Sequence, residues 1–187
     1  MATTDPRERI LATAAELFYR EGVHAVGVDR VVEVAGVAKT SLYRHFGTKD
    51  ELIAAFLRRE DEDFWAHWDA VARAHAGDPH AELDAHMAWI GERLARPNYR
   101  GCPQLNVAAE FPAADHPARV VAAAHKQALR GRLEAIARRL EVAHPAELAA
   151  QLLVLINGAF VSAQVLAADE ATPVLRAAAQ ALVAAAR

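Results

Sequence analysis

The run Lys39-Thr40-Ser41-Leu42-Tyr43-Arg44-His45-Phe46 sets small polar side chains at one end of a short segment and larger hydrogen-bond donors towards the other. These residue types suit recognition rather than bond breaking. Lys39, Thr40 and Ser41 can approach base edges, while Tyr43, His45 and the nearby Lys49 can donate to phosphate oxygens. At helical spacing Lys39, Thr40, Tyr43 and Arg44 face solvent. Lys49 opens the next helix, whose free N–H groups also attract an anion. Each cation taken singly reads as part of a solvated face, but their spacing around a tight turn, together with Tyr43 and His45, points to a surface for double-stranded DNA.

Other chemistry finds less support. No nucleophile elbow and no glycine-rich phosphate loop is present, and Glu110, Asp115 and His116 form no recognisable constellation, so the chain reads as a non-enzyme without a cofactor. The nine histidines raise a metal site, with Glu82 and His86 four apart as one ligand pair. No HExxH, CxxC or close His–His pair accompanies them, so packed or surface histidines are the better reading and no metal is expected. The single Cys102 is either a small packed side chain or a thiol activated by Arg100. Trp65, Trp68 and Trp89 lie on two neighbouring helices; Trp68 reads as core, and Trp89 equally as core or as pocket wall. Trp65, His86, Met87, Trp89, Asn106 and Phe111 are the candidates for a cavity that binds a small, mostly apolar effector.

The elements that must position these residues are all helical. Alanine is abundant and β-branched alternation nearly absent, which predicts an all-α fold of about nine helices with no strand. Asp5-Pro6-Arg7-Glu8 starts the first helix as a capping box, and Ile10, Ala14, Leu17 and Phe18 form its inner face. A short helix over Val28 to Ala35, a turn at Gly36-Val37 and a second short helix over Lys39 to Phe46 have the geometry of a helix-turn-helix. Thr48 to Glu51 caps a long fourth helix reaching about Ala76. Gly77-Asp78-Pro79 starts the next, with a stripe of Leu83, Met87, Ile90 and Leu94. A loop, alone or leading into a short helix, spans Arg96 to Pro103. His116-Pro117 opens another long helix, with Val120, Val121, Ala124, Leu133, Ile136 and Leu140 expected inside. His144-Pro145 opens a helix running through about Ala168, and Thr172-Pro173 opens the last, to Ala185.

The run AGVAKTSLYRHFGTKDEL, preceded by RILATAAELFYREG, resembles the DNA-binding domain of TetR/AcrR-type regulators over about residues 7–57. The resemblance implies that Lys39, Thr40, Ser41, Tyr43 and His45 meet DNA, that Lys49 holds a phosphate, that Arg30 lies near the DNA backbone, and that Leu42 and Phe46 are core. Gly27 and Ala38 stand where members often carry a hydroxyl that caps the second helix or precedes the recognition-helix lysine. Beyond this segment the resemblance is one of architecture, a long helical ligand-binding domain; the patch Arg100-Gly101-Cys102-Pro103 with Asn106 and Glu110 is similar to a subgroup that includes regulators of multidrug-resistance genes.

The expectations are therefore a helix-turn-helix domain over residues 1–47 and a ligand-binding and dimerisation domain over 48–187. The two last helices are too apolar for one-sided burial and would pair with a second copy, Phe160 included, making a homodimer. The net charge of −3 sits in the C-terminal part: the first 50 residues carry seven basic and seven acidic side chains, the remainder 14 and 17. That leaves room for a locally basic DNA face. The single cysteine and a polar N-terminus point to the cytoplasm. The apolar run Leu152 to Ala168 is interrupted by Asn157, Gly158, Ser162 and Gln164 and reads as a helix buried on most sides, not a membrane span. The alternative, a helical small-molecule-binding protein without DNA binding, shares this fold; a metal-dependent enzyme on the same bundle is a third reading.

Overall fold

A computed structural model of the chain describes residues 5–163, 165–167 and 169–187. These residues form nine helices and no strand: α1 (Pro6–Glu21), α2 (Val28–Ala35), α3 (Lys39–Phe46), α4 (Lys49–Ala74), α5 (Pro79–Leu94), α6 (Pro103–Glu110), α7 (Pro117–Arg139), α8 (Pro145–Ser162) and α9 (Ala171–Ala185). The helix starts follow the side chains that satisfy otherwise unpaired N–H groups. Asp5 accepts from Arg7, Thr48 from Glu51, and Asp78 from both His80 and Ala81. The first capping box is only half made, because the Glu8 carboxylate turns away to Arg59 at 2.5 Å. Neither α2, after Gly27, nor α3, after Ala38, has a side-chain cap.

Packing divides the chain into two compact units. The first is Met1–Glu62 with Pro103–Ala123, and the second is Asp63–Cys102 with Ala124–Arg187. In the first, Ile10, Ala14, Phe18, Val31, Leu42, Phe46, Leu52 and Phe56 share one core with Val107, Ala118 and Ala122. Full burial of each large apolar side chain stabilises by about 1.5–3 kcal/mol. In the second, α5 packs along α9 and α8 lies against both. There Leu83, Met87, Ile90 and Leu94 are buried, as the α5 stripe predicts.

Three expectations are corrected. On α7, Leu133 and Ile136, and Leu140 just past its end, are inside as expected and Val121 packs half-buried on the core, but Val120 is 53% exposed and Ala124 is also exposed, their places inside taken by Ala118, Ala122 and Leu129. Small alanines allow close approach to neighbours, and a valine two positions along a helix points nearly the opposite way. Helix α8 ends at Ser162, whose carbonyl accepts turn bonds from Val165 and Leu166. The apolar composition runs past that point with no Gly or Pro to mark it; Gln164 and Ala168 lie outside the described residues. Nor is α8 buried on most sides. Leu148, Leu152, Ile156 and Phe160 form one buried stripe, while Val154 is 72% and Val161 66% exposed. By length and composition α8 is also the one helix among the described residues able to cross a membrane, though 28% of it is buried in this chain.

Candidate nucleic-acid interface

In the first unit α2 and α3 meet at a turn that requires glycine. Gly36 adopts φ 63° and ψ 43°, a left-handed conformation that costs other residues dearly. The turn closes through the Gly36 N–H on Glu33 and the Val37 N–H on Val32. With Leu42 fully buried and Phe46 nearly so, the opposite face of α3 is fixed outward: Lys39, Thr40, Tyr43 and Arg44 are exposed, Ser41 and His45 half-buried. Tyr43 is 44% exposed. Lys49 begins α4, with Asp50 and Glu51 beside it.

Three intrachain pairings temper this surface. The Lys39 ammonium lies 2.7 Å from the Asp29 carboxylate, both exposed. Hydrogen bonding to Asp29, reinforced by its charge, holds the Lys39 pKa above the usual lysine value. Arg30 lies 3.8 Å from Glu33, and Arg44 donates to the Ser41 hydroxyl at 3.4 Å. The Asp29 partner escapes local pattern reading because the pair spans the turn between two helices. Arg9 escapes it too: from α1 it donates to the carbonyls of Ala35 and Gly36.

The tryptophan candidates, His86 and Met87 fall in the second unit. Trp68 stacks on His86 with ring centres 3.6 Å apart, Trp89 stacks on His67 at 4.3 Å, and Phe64 touches Trp65, Trp89 and His125 at 4.9 Å each. The Arg132 guanidinium lies 4.4 Å above the Trp65 ring. Trp68 and Trp89 are both buried, Trp65 half-buried. His86 is wholly enclosed, and neither of its ring nitrogens has a hydrogen-bond partner. Burial above all, with the nearby positive charges of His67, His75 and Arg132, lowers its pKa to about 3. The ring is neutral at pH 7, so its 3.8 Å approach to Glu82 is not an ion pair. Glu82 instead takes Arg139 at 2.5 Å. Met87 lines a cleft of about 330 Å³ between α5 and α9, with Leu83, Ala179 and Val183 on its floor and the Asp84–Arg176 pair at its edge.

The remaining candidates lie elsewhere. Asn106 is exposed on α6 in the first unit, and Phe111 stacks there on His116 at 3.8 Å and leans on His24 at 4.9 Å. Cys102 is buried, with the Lys126 ammonium 3.6 Å from Sγ and donating to the side-chain Oδ1 of Asn157 at 2.8 Å. Among the described residues no three His, Cys, Asp or Glu side chains gather closely enough to hold a metal ion.

Comparison with known proteins agrees with this geometry. The family described as bacterial regulatory proteins, tetR family, matches residues 10–56, the stretch from α1 to the first turns of α4. The transcriptional activator FasR of Mycolicibacterium smegmatis is 45% identical over 53 residues, 28% of this chain; the chain spans about a quarter, 24%, of that relative. Over nearly the whole length, the crystal structure of a putative TetR transcriptional regulator from Streptomyces avermitilis is 34% identical, with a TM-score of 0.84 and 98% of each chain covered. A TetR-family regulator from Streptomyces coelicolor superposes with a TM-score of 0.91 at 27% identity, covering 97% of this chain and 95% of that one.

Proposed function

Because the chain belongs to the TetR family of bacterial transcriptional regulators, we propose that it acts as a homodimeric repressor that binds a pseudo-palindromic operator and releases it when a small, mostly apolar effector binds. The observation that carries the DNA-binding half of this reading is the polar face of α3, held open to solvent by the sealed anchors Leu42 and Phe46. In such a motif the second helix enters the major groove and the first crosses the backbone. Thr40 and Ser41, with Lys39, then read bases, while Tyr43, Arg44, His45, Lys49 and Arg30 contact phosphates. By role, residues 1–47 read DNA and 48–187 bind effector and pair the subunits, although α4 as far as Glu62 and residues 103–123 pack with the first unit.

Dimerisation is supported by the apolar side chains left uncovered on the last two helices, Val154 and Val161 on α8 and Val174 on α9. A two-fold pairing of these faces gives a four-helix interface and sets two α3 helices at half-sites ~34–36 Å apart or a near multiple. Phe160 is not part of that surface; at 3% exposure it belongs to the core of its own chain.

The effector site is supported by the ring cluster around Trp65, Trp89 and His86, with Met87 in the same unit; Asn106 and Phe111, expected beside them, lie in the first unit. A buried imidazole with both nitrogens unbonded is costly in an apolar surround, and a ligand that hydrogen-bonds to it removes that cost. Helix α4 runs from Lys49, beside the recognition helix, to the Trp65 and Trp68 turns, and is the transmitter. A coupling of ~1–3 kcal/mol weakens DNA binding ~5–150-fold.

The experiment is a mobility-shift assay on the purified protein with DNA from upstream of its own gene and its neighbours, followed by a reporter driven from the shifted fragment. Retarded DNA and lower expression in the presence of the protein are expected. Absence of a shift on every fragment overturns the DNA-binding reading, and raised expression overturns repression.

A further inference from the structure

We infer that Arg9, on α1, is a positioning residue for DNA recognition: it bolts the α2–α3 turn in place and so aims the N-terminal end of α3, without itself contacting DNA. This rests on the reading of α3 as the DNA-contacting helix. One Nη of the Arg9 guanidinium donates to two consecutive carbonyls of the turn, Ala35 at 2.5 Å and Gly36 at 2.9 Å. Both oxygens lie at the C-terminal end of α2, where carbonyls lack helical partners and the helix dipole is negative, so a cation is favoured there twice over. Hydrogen bonds from a charged donor are roughly twice as strong as neutral ones.

Beside Arg9 the turn is held by the Gly36 and Val37 backbone bonds and by the exposed Lys39–Asp29 pair across it, with no side-chain cap to add to them. α2 and α3 are eight residues each and neither has a side-chain cap at its start. Lys39 and Thr40 follow Gly36 almost at once in the chain, so a change in the turn angle is carried straight to the base-reading end of α3. The fit is close: a Cβ placed on Gly36 would meet Arg9 Nη2 at 2.9 Å. Arg9 thus stands against the bare backbone of the turn, where a side chain on residue 36 would push it away.

A residue that aims α3 and a residue that touches phosphate differ in what their loss does. Aim matters for base-edge contacts and barely for sequence-independent attraction, whereas a phosphate contact contributes to both and to the salt slope. The test compares the full-length protein with Arg9→Ala and Arg9→Lys by fluorescence anisotropy, on the operator and on a scrambled duplex, across a salt series. Circular dichroism and a melting curve establish that each variant is folded at the assay temperature.

The wild-type protein must first distinguish operator from scrambled DNA; if it does not, the functional reading fails before Arg9 is in question. Given that it does, Arg9→Ala lowers operator affinity about tenfold per half-site, leaves scrambled-DNA affinity within about twofold, and leaves the salt slope unchanged. Arg9→Lys, which keeps the charge and can reach one carbonyl, restores part of the specificity. Three results overturn the inference: equal losses on both duplexes with a slope lower by about one per half-site, which makes Arg9 a phosphate contact; unchanged operator affinity in a folded Arg9→Ala; or an Arg9→Lys that melts like wild type yet recovers no specificity.

Discussion

The enclosed His86 makes stability depend on pH in a way that one substitution can isolate. In the folded chain its pKa is about 3, against 6.5 in the unfolded chain, so between these values the unfolded state binds a proton that the folded state refuses. A lowered histidine pKa therefore costs nothing above pH 6.5, and the stability lost grows as pH falls from 6.5 towards 3. Proton linkage at pH 5 gives a loss of about 2 kcal/mol, a large fraction of the ~5–15 kcal/mol that holds a typical domain folded. His86→Phe keeps a ring against Trp68 and removes the titration. Urea unfolding, followed by tryptophan fluorescence at fixed protein concentration, is measured for both proteins at pH 8 and pH 5. The wild type should lose about 2 kcal/mol more than the variant between the two conditions, since every other group is common to both proteins and its contribution cancels. Parallel losses, within about 0.5 kcal/mol, would show that His86 takes up its proton freely and that burial does not hold it neutral.

Further outcomes bear on DNA and on assembly. Lys49→Ala should lower the salt slope of operator binding by about one per half-site and weaken all sequences alike, while Thr40→Ala should shift sequence preference in a binding-site selection; an unchanged site from Thr40→Ala would remove it from base reading. Asp29→Asn frees the Lys39 ammonium for base edges, so operator binding should tighten more than scrambled-DNA binding; a flat response in anisotropy would take Lys39 off the DNA face. Val161→Asp should give a folded monomer in sedimentation, whereas Phe160→Glu should lose its fold through a buried unpaired charge. A Val161→Asp that sediments as a dimer would move the interface elsewhere.

What can be read from the sequence is what is local. Asp5, Thr48 and Asp78 announce helix starts because a cap acts on N–H groups two or three residues away. Leu42 and Phe46 announce the inner face of α3 because a period of 3.6 needs no knowledge of the partner helix. The failures share the opposite property. Hydrophobicity alone places Val120 inside, but which face of α7 turns inward depends on what packs against it, and there alanines fit better. Phe160 stands on a helix apolar all round, so pattern alone does not tell its side. Asp29, Arg9 and the Trp68–His86 stack join residues ten, 26 and 18 positions apart, separations at which spacing carries no signal.

The core shared by α1 to α4 with Val107, Ala118 and Ala122 has a consequence for how the protein is made. The chain segment bearing α1, α2 and α3 leaves the ribosome early, yet the residues that finish its core arrive about 60 positions after Glu62, a wait of roughly 3–12 s at ~5–20 residues per second. During that interval the core lacks Val107, Ala118 and Ala122, and the nascent chain is open to chaperones and proteases. The same arrangement governs transplantation: a chimera that carries the helix-turn-helix onto another scaffold must bring residues 103–123 with it, or supply a surface that fills their place.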